Sequence, residues 1–198
     1  MDEVTWLLRH RISLPLGYQE ENTLLPLVVK RSDAVISKLS KTIENPTALA
    51  RAVHNDWYRE MFQPSVTAGL IEAGSLARYR NIPVYLRGSR YVPPRWEAVR
   101  DAMPAFFDLL EKEAEPSVRA VLGHWLFGYI HPYPDGNGRM ARFLMNVMLA
   151  SGGYPWTVIR IRDRKSYLSA LDRASIDMDI HSFATCRRYG HCRLSRSS

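Results

Sequence analysis

The chain of 198 residues has no apolar run long enough to cross a bilayer, which takes about 20 consecutive apolar residues. Its N-terminus, MDEVTWLLRHRISLPLGYQEE, interrupts its apolar residues with charges, so a signal peptide is not expected. Cysteine is scarce. Only Cys186 and Cys192 occur, too few for a disulfide framework in a chain of this size. In CRRYGHC, Cys186, His191 and Cys192 have the wrong spacing for the common zinc sites and lack a fourth ligand. These absences predict a soluble protein of a reducing compartment, the cytoplasm. Acidic residues are missing from the last twelve positions, where Arg187, Arg188, Arg193 and Arg196 fall. Without those four arginines the formal charge of +7 drops to +3, so the basic balance is largely that of a tail. Such a tail is weak support for nucleic-acid binding. No internal repeat and no low-complexity tract is present.

What is there is enough for one core: 46% of the residues are hydrophobic. Residues 33–44 put Val35, Ile36, Leu39 and Ile43 at helical spacing, with Asp33 as a cap and Pro46 as the end. Pro46 and Thr47 open a second helix to about Phe62. Residues 63–81, broken by Pro64, Gly69 and Gly74, read as irregular. The β-prone groups Val84-Tyr85-Leu86 and Tyr91-Val92 flank a turn at Arg87–Arg90, which predicts a short hairpin. Pro93-Pro94 stops it and starts a helix through RWEAVRDAMPAFFDLLEKE, kinked at Pro104. Pro116 opens a largely apolar, central helix over SVRAVLGHWLFGYI. His124 within it reads as a core histidine with a structural partner. A helix from about Asn137 ends at Gly152-Gly153. Its Met140, Leu144, Met145 and Met148 read as core. A short extended piece, Thr157–Ile161, precedes a last clear helix over 163–174, and 179–189 adds a turn or two. The architecture expected is all-α: a helical bundle with one hairpin and a loop–helix motif among the helices.

That motif, HPYPDGNGRMAR at 131–142, carries the chemistry. His131 has the side chain whose ordinary pKa suits proton abstraction near neutrality. Asp135 is a hard oxygen ligand suited to Mg²⁺. Gly136 and Gly138 leave backbone N–H groups open to a ligand, and a helix starting near Asn137 aims its unpaired N–H groups at an anion. Arg139 and Arg142 share a helix face and can fork onto phosphate oxygens. The pattern is that of a polyphosphate grip beside a base.

The string resembles the signature of the Fic family, His-x-Phe-x-(Asp/Glu)-Gly-Asn-Gly-Arg-x-x-Arg. Every specified position matches except Tyr133, which stands where Phe is usual, so its phenol must find a partner or reach water. The resemblance extends over about residues 45–183, through VYLRGSRYVPP and the helices after residue 163. It implies the all-α Fic fold and a division into an N-terminal extension (1–45), a Fic domain (46–183) and a basic tail (184–198). It also implies transfer of a nucleoside monophosphate, usually AMP from ATP, to a Ser, Thr or Tyr hydroxyl of a target protein. His131 would take the hydroxyl proton, and Asp135 would hold Mg²⁺ between the α- and β-phosphates. Gly136, Asn137 and Gly138 would line the anion hole. Arg139 would steady the β- and γ-phosphates, and Arg142 the γ-phosphate. The flap residues Val84, Tyr85, Leu86, Arg87 and Gly88 would hold the target by strand addition. The related Doc branch, which phosphorylates its target, has Lys where this chain has Gly138, so nucleotidyl transfer is the expected chemistry.

Many members carry an inhibitory helix with Ser/Thr-x-x-x-Glu-Gly/Asn, and Ser40-Lys-Thr-Ile-Glu44-Asn45 matches it. The glutamate would pair with Arg142 and misplace the γ-phosphate; the plain alternative is a glutamate at an exposed helix end. An antitoxin-like regulator is a further implied partner. The motif grips phosphates and does not read a base. UMP, GMP or phosphocholine transfer, or removal of AMP, are therefore alternatives on the same fold. A basic helical nucleic-acid module is the alternative of another class.

Overall fold

The computed structural model describes residues 45–76, 78–154, 157–159 and 161–185. The predicted helix over 33–44, with Ser40 and Glu44, and the basic tail after 185 lie outside them. Among the described residues, six α-helices follow in order: α1 (Pro46–Thr67), α2 (Val99–Lys112), α3 (Pro116–Ile130), α4 (Asn137–Ser151), α5 (Arg164–Ile176) and α6 (His181–Ala184). Short 3₁₀ turns at Ala73–Leu76, Trp96–Ala98 and Ile161–Asp163 precede α2 and α5. There is no strand among the described residues.

Sequence chemistry explains most boundaries. Asn45 caps α1, its side chain accepting from the Ala48 N–H at 2.9 Å, and Pro46 fills the first helical position. Asn45 therefore has a structural task of its own. α1 runs one turn past the expected end at Phe62, straight through Pro64 to Thr67. Pro64 costs only the helical donor to the Glu60 carbonyl, on an exposed stretch near the end, and its fixed φ suits a helix. Pro104 is likewise carried inside α2, on an exposed position of that helix. α3 and α4 begin and end where the sequence placed them.

α3 and α4 pack side by side as the centre of the bundle, with α1 and α2 against them. Their interface is apolar. Tyr58, Met61 and Phe62 of α1, Met103, Phe106, Phe107 and Leu110 of α2, Phe127 of α3, and Met140, Leu144, Met145 and Met148 of α4 are all buried in it. A second cluster of Trp125, Tyr167, Ala170, Ala174 and Phe183 fastens α5 and α6 to the outer side of α3. His124 sits at the junction. It is 1% exposed, with Nε2 2.8 Å from the Tyr167 hydroxyl and Nδ1 3.3 Å from the Met145 sulfur. The structural role expected for it is the one observed.

The predicted hairpin at 82–94 is corrected to an extended strap. Its turn forms, with the Ser89 N–H donating to the Leu86 carbonyl at 3.1 Å and Gly88 at φ 76°. The two arms do not pair as a ladder. Pro83, Pro93 and Pro94 remove donors, and side chains pin the arms to helices instead. The Ser89 hydroxyl donates to Asp172 of α5. The Tyr91 hydroxyl donates to the Tyr129 carbonyl at 2.9 Å, and the two rings stack at 4.8 Å. Alternation survives without pairing, since Val84 and Leu86 are half-buried and Tyr85 is 79% exposed.

Candidate active site

The site is built on the α3–α4 turn. α3 ends at His131, which takes the left-handed conformation (φ 53°, ψ 58°). A left-handed non-glycine residue is uncommon and is held there by its surroundings. Its N–H caps the helix by donating to the Phe127 carbonyl at 3.0 Å. Its ring Nδ1 lies 3.0 Å from the Gly128 carbonyl. A carbonyl only accepts, so Nδ1 carries the proton and Nε2 carries the lone pair. Burial pushes the His131 pKa below its ordinary value and the Arg80 charge adds to this, against the Gly128 bond and the Asp135 charge. The ring is thereby kept neutral, as a base must be before it acts.

Arg80 is one residue the sequence reading missed. It is 3% exposed and lies beside the C-terminus of α3. Its Nε donates to the His131 carbonyl at 2.7 Å, and its terminal nitrogens donate to the Ile82, Pro94 and Ile130 carbonyls. Its backbone N–H donates to the Pro132 carbonyl at 2.8 Å. One guanidinium thus satisfies two of the carbonyls at this helix end, those of Ile130 and His131, and ties the strap to the α3–α4 turn. No local pattern marks it, because every partner except Ile82 is distant in sequence.

The loop is locked by Asn137. Its Oδ1 accepts from the Tyr133 N–H at 2.9 Å and its Nδ2 donates to the Tyr133 carbonyl at 2.7 Å. The side chain is buried, so only the backbone of Asn137 is left for an anion. Tyr133 finds the partner its phenol requires: the hydroxyl donates to Asn55 Oδ1 at 2.7 Å. Gly136 caps α4 at φ 76°. A Cβ there would lie 2.7 Å from Met61 and 2.8 Å from Phe62, so the fold itself demands glycine. Gly138 differs. A Cβ there would meet only the Arg142 guanidinium, at 3.4 Å, so an approaching ligand has more use for this glycine than the fold does.

His131, Asp135, Gly136, Asn137, Gly138, Arg139 and Arg142 all line one cleft of about 310 Å³. The structure brings together every motif residue singled out in the sequence. The far wall was not foreseen: Ile159, Arg164, Tyr167 and Leu168. Arg164 opens α5, where the helix dipole disfavours a cation; that misfit is the signal it carries in the sequence. Ile159 is placed by Asn146 of α4, whose amide donates to the Thr157 carbonyl at 3.0 Å and accepts from the Thr157 N–H at 2.7 Å. An asparagine in the apolar run FLMNVML was its sequence trace. Arg139 lies 4.7 Å over the Phe62 ring and 3.4 Å from Asp135. Arg142 has no carboxylate within ion-pair distance among the described residues.

The donor set bears on a cation. Asp135 is 80% exposed at the cleft, and no group of three or more His, Cys, Asp or Glu side chains converges among the described residues. A single open carboxylate fits Mg²⁺ shared with substrate phosphates, which keeps most of its shell from water and phosphate, and does not fit a closed protein cage. Among the described residues no helix is long and apolar enough to cross a membrane.

Comparison with known proteins agrees with this geometry. Residues 29–149 match the model of the Fic/DOC family. A relative from Nematostella vectensis, Protein adenylyltransferase Fic, is 44% identical over 109 residues, covering 53% of this chain and 24% of that protein. The chain thus spans about a quarter of that relative's length. A solved Fic-1 fragment from Caenorhabditis elegans superposes with a TM-score of 0.60 at 22% identity, over 83% of this chain and 47% of that one. A Fic domain-containing signalling protein from Bacteroides thetaiotaomicron gives a TM-score of 0.60 at 25% identity, over 79% and 59%. With its signature gathered around one cleft and the family model covering more than half its length, the chain belongs to the Fic/DOC family.

Proposed function

We propose that this chain is a protein adenylyltransferase, moving AMP from ATP to a Ser, Thr or Tyr hydroxyl of a target protein. One observation carries the reading. The Gly128 carbonyl fixes the proton of His131 on Nδ1, so the lone pair of Nε2 belongs to a ring that lines the same cleft as Arg139 and Arg142. The relative from Nematostella vectensis named Protein adenylyltransferase Fic supports the choice of activity.

The residues divide the work. His131 Nε2 takes the proton of the target hydroxyl as its oxygen bonds to the α-phosphorus. The bond from that phosphorus to the bridging oxygen breaks, and pyrophosphate leaves. Arg139 and Arg142 neutralise the outer phosphates, and the first-turn N–H groups of α4 meet phosphate oxygens. Asp135 would hold Mg²⁺, which when bound supplies charge neutralisation across the phosphates. Most of the acceleration in such a transfer comes from positioning and charge, so one base in a cationic loop suffices. The strap residues Val84–Gly88 would hold the target. The unit responsible is residues 46–183, set in the cytoplasm. Glu44, following the Ser40-x-x-x-Glu44-Asn45 pattern, would restrain activity through Arg142.

The test uses purified protein with Mg²⁺, each α-labelled nucleoside triphosphate in turn, and cell proteins as acceptors. Label should pass from ATP and fall by at least ~10²–10⁴-fold in His131→Ala. Equal label in His131→Ala would end the reading, and label from another nucleotide would change the donor. Glu44→Gly should raise the label; an unchanged level would remove the inhibitory role.

A further inference from the structure

A second, more open groove of about 610 Å³ lies against the catalytic cleft. It is lined by Gly88 of the strap and by Arg162, Arg164, Lys165, Leu168, Ser169 and Asp172. Arg164 and Leu168 line both spaces. The sharing follows from helix geometry. Arg164, Tyr167 and Leu168 stand at i, i+3 and i+4 on the α5 face toward the cleft. Lys165, Leu168, Ser169 and Asp172 stand at i, i+3, i+4 and i+7 on the adjoining face. The groove is therefore the way along the strap into the site.

Its charge is one-sided. Arg162, Arg164 and Lys165 face a single carboxylate, Asp172, whose oxygen is already engaged by the Ser89 hydroxyl. Arg164 and Lys165 make no ion pair among the described residues. Arg162 is 71% exposed and, among the described residues, pairs only with Asp163, its neighbour in sequence, at 3.8 Å. Two of these cations occupy the first turn of α5, where they work against the helix dipole. The strap adds Arg87 and Arg90, both exposed and without an ion pair among the described residues.

We propose that this groove docks an extended, acidic segment of the target protein, whose carboxylates lie on Arg162 and Lys165 while the neighbouring hydroxyl residue enters the cleft. The inference deepens the transferase reading and rests on it for the meaning of "target", but docking can be measured without any chemistry. At Val84 and Tyr85 the strap supplies backbone without a hydrogen bond among the described residues, open to an extended chain, and the cations supply preference among sequences.

The experiment uses fluorescent peptides with one central threonine flanked by glutamates, serines or lysines, titrated by anisotropy without nucleotide. The glutamate peptide should bind the wild type roughly 2- to 30-fold more tightly than the serine peptide, the range for two exposed ion pairs. The preference should shrink as salt rises. The double variant Arg162→Glu with Lys165→Glu should reverse it toward the lysine peptide. Its thermal unfolding should be no lower than that of the wild type, because both side chains are exposed and a carboxylate suits the first turn of α5. In the transfer assay the same variant should lose kcat/KM for the glutamate peptide and keep its KM for ATP. Equal binding of all three peptides, or a variant that keeps the glutamate preference, overturns the proposal. So does a single-stranded oligonucleotide that displaces the peptide at equal charge, which would make the groove a general polyanion surface. Selective peptide binding with no transfer of a nucleoside monophosphate from any α-labelled triphosphate would uphold the groove and defeat the transferase reading.

Discussion

Tyr133→Phe isolates one hydrogen bond under the α3–α4 loop. The Tyr133 ring is fully buried and lies flat on the Tyr58 ring, with centroids 3.7 Å apart at 4°. Its hydroxyl donates to Asn55 Oδ1 at 2.7 Å. Burial raises the phenol pKa, so it remains a donor at any working pH. Phenylalanine keeps the stacked ring and opens no cavity beyond one oxygen. What is lost is one neutral bond, a net of about 0.5–1.5 kcal/mol. Asn55 is only half-buried, so water reaches the freed amide and the lower half of that range is expected. For a chain near 200 residues, 1 kcal/mol corresponds to about 2–4 °C, so Tm should drop by about 1–4 °C. A double-mutant cycle with Asn55→Ala, followed by thermal or urea unfolding, should return a coupling of about 1 kcal/mol. AMP transfer should be unchanged, because Asn137 holds the backbone of Tyr133 and not its phenol. Equal or greater stability of Tyr133→Phe with zero coupling would refute the reasoning: desolvating the phenol would then cost as much as its bond returns.

The two loop glycines should separate fold from function. Gly136→Ala should lower stability by about 1–3 kcal/mol, from its positive φ and from contacts near 2.7 Å, whereas Gly138→Ala should unfold like the wild type and bind ATP less tightly; equal behaviour of the two would contradict the geometry. AMP transfer should rise with pH up to a midpoint below 6.5 and stay flat through neutrality, because burial and Arg80 lower the His131 pKa and only the unprotonated ring accepts a proton; a midpoint above 7 would contradict it. His124 is held to about 3 in the folded state, chiefly by burial, against about 6.5 when unfolded. The unfolded chain then binds more protons between those values, and stability falls as pH drops below 6.5, by up to about 1.4 kcal/mol per pH unit from this group. His124→Gln should show a shallower acid slope in urea unfolding, and an identical slope would argue against a neutral buried imidazole.

Local rules made part of the molecule readable. Pro46 and Pro116 mark helix starts, Gly152 marks an end, and HPYPDGNGRMAR states a candidate site within twelve residues, because a turn and the first turn of the helix after it draw on neighbours in sequence. Elsewhere local rules misled. Val84–Val92 has the composition of a hairpin, yet tethers from Ser89 to Asp172 and from Tyr91 to Tyr129 take the place of cross-strand bonds. Pro64 looked like a break, but a helix tolerates a missing donor near an exposed end.

The sequence alone determined the helical bundle and the grouping of His131, the arginine pair and the glycines, since each depends on periodicity or on spacing within a turn or two. Only the tertiary structure decided which nitrogen of His131 is free, what holds that histidine in a left-handed conformation, and which helix closes the cleft. Arg80 meets carbonyls about 50 residues away, Asn146 sets Ile159 in the wall, and Arg164 and Lys165 turn the start of α5 into a basic groove. Such contacts join segments that no window of sequence contains, and they exist only once the α3–α4 pair has packed and the strap has been drawn across its end.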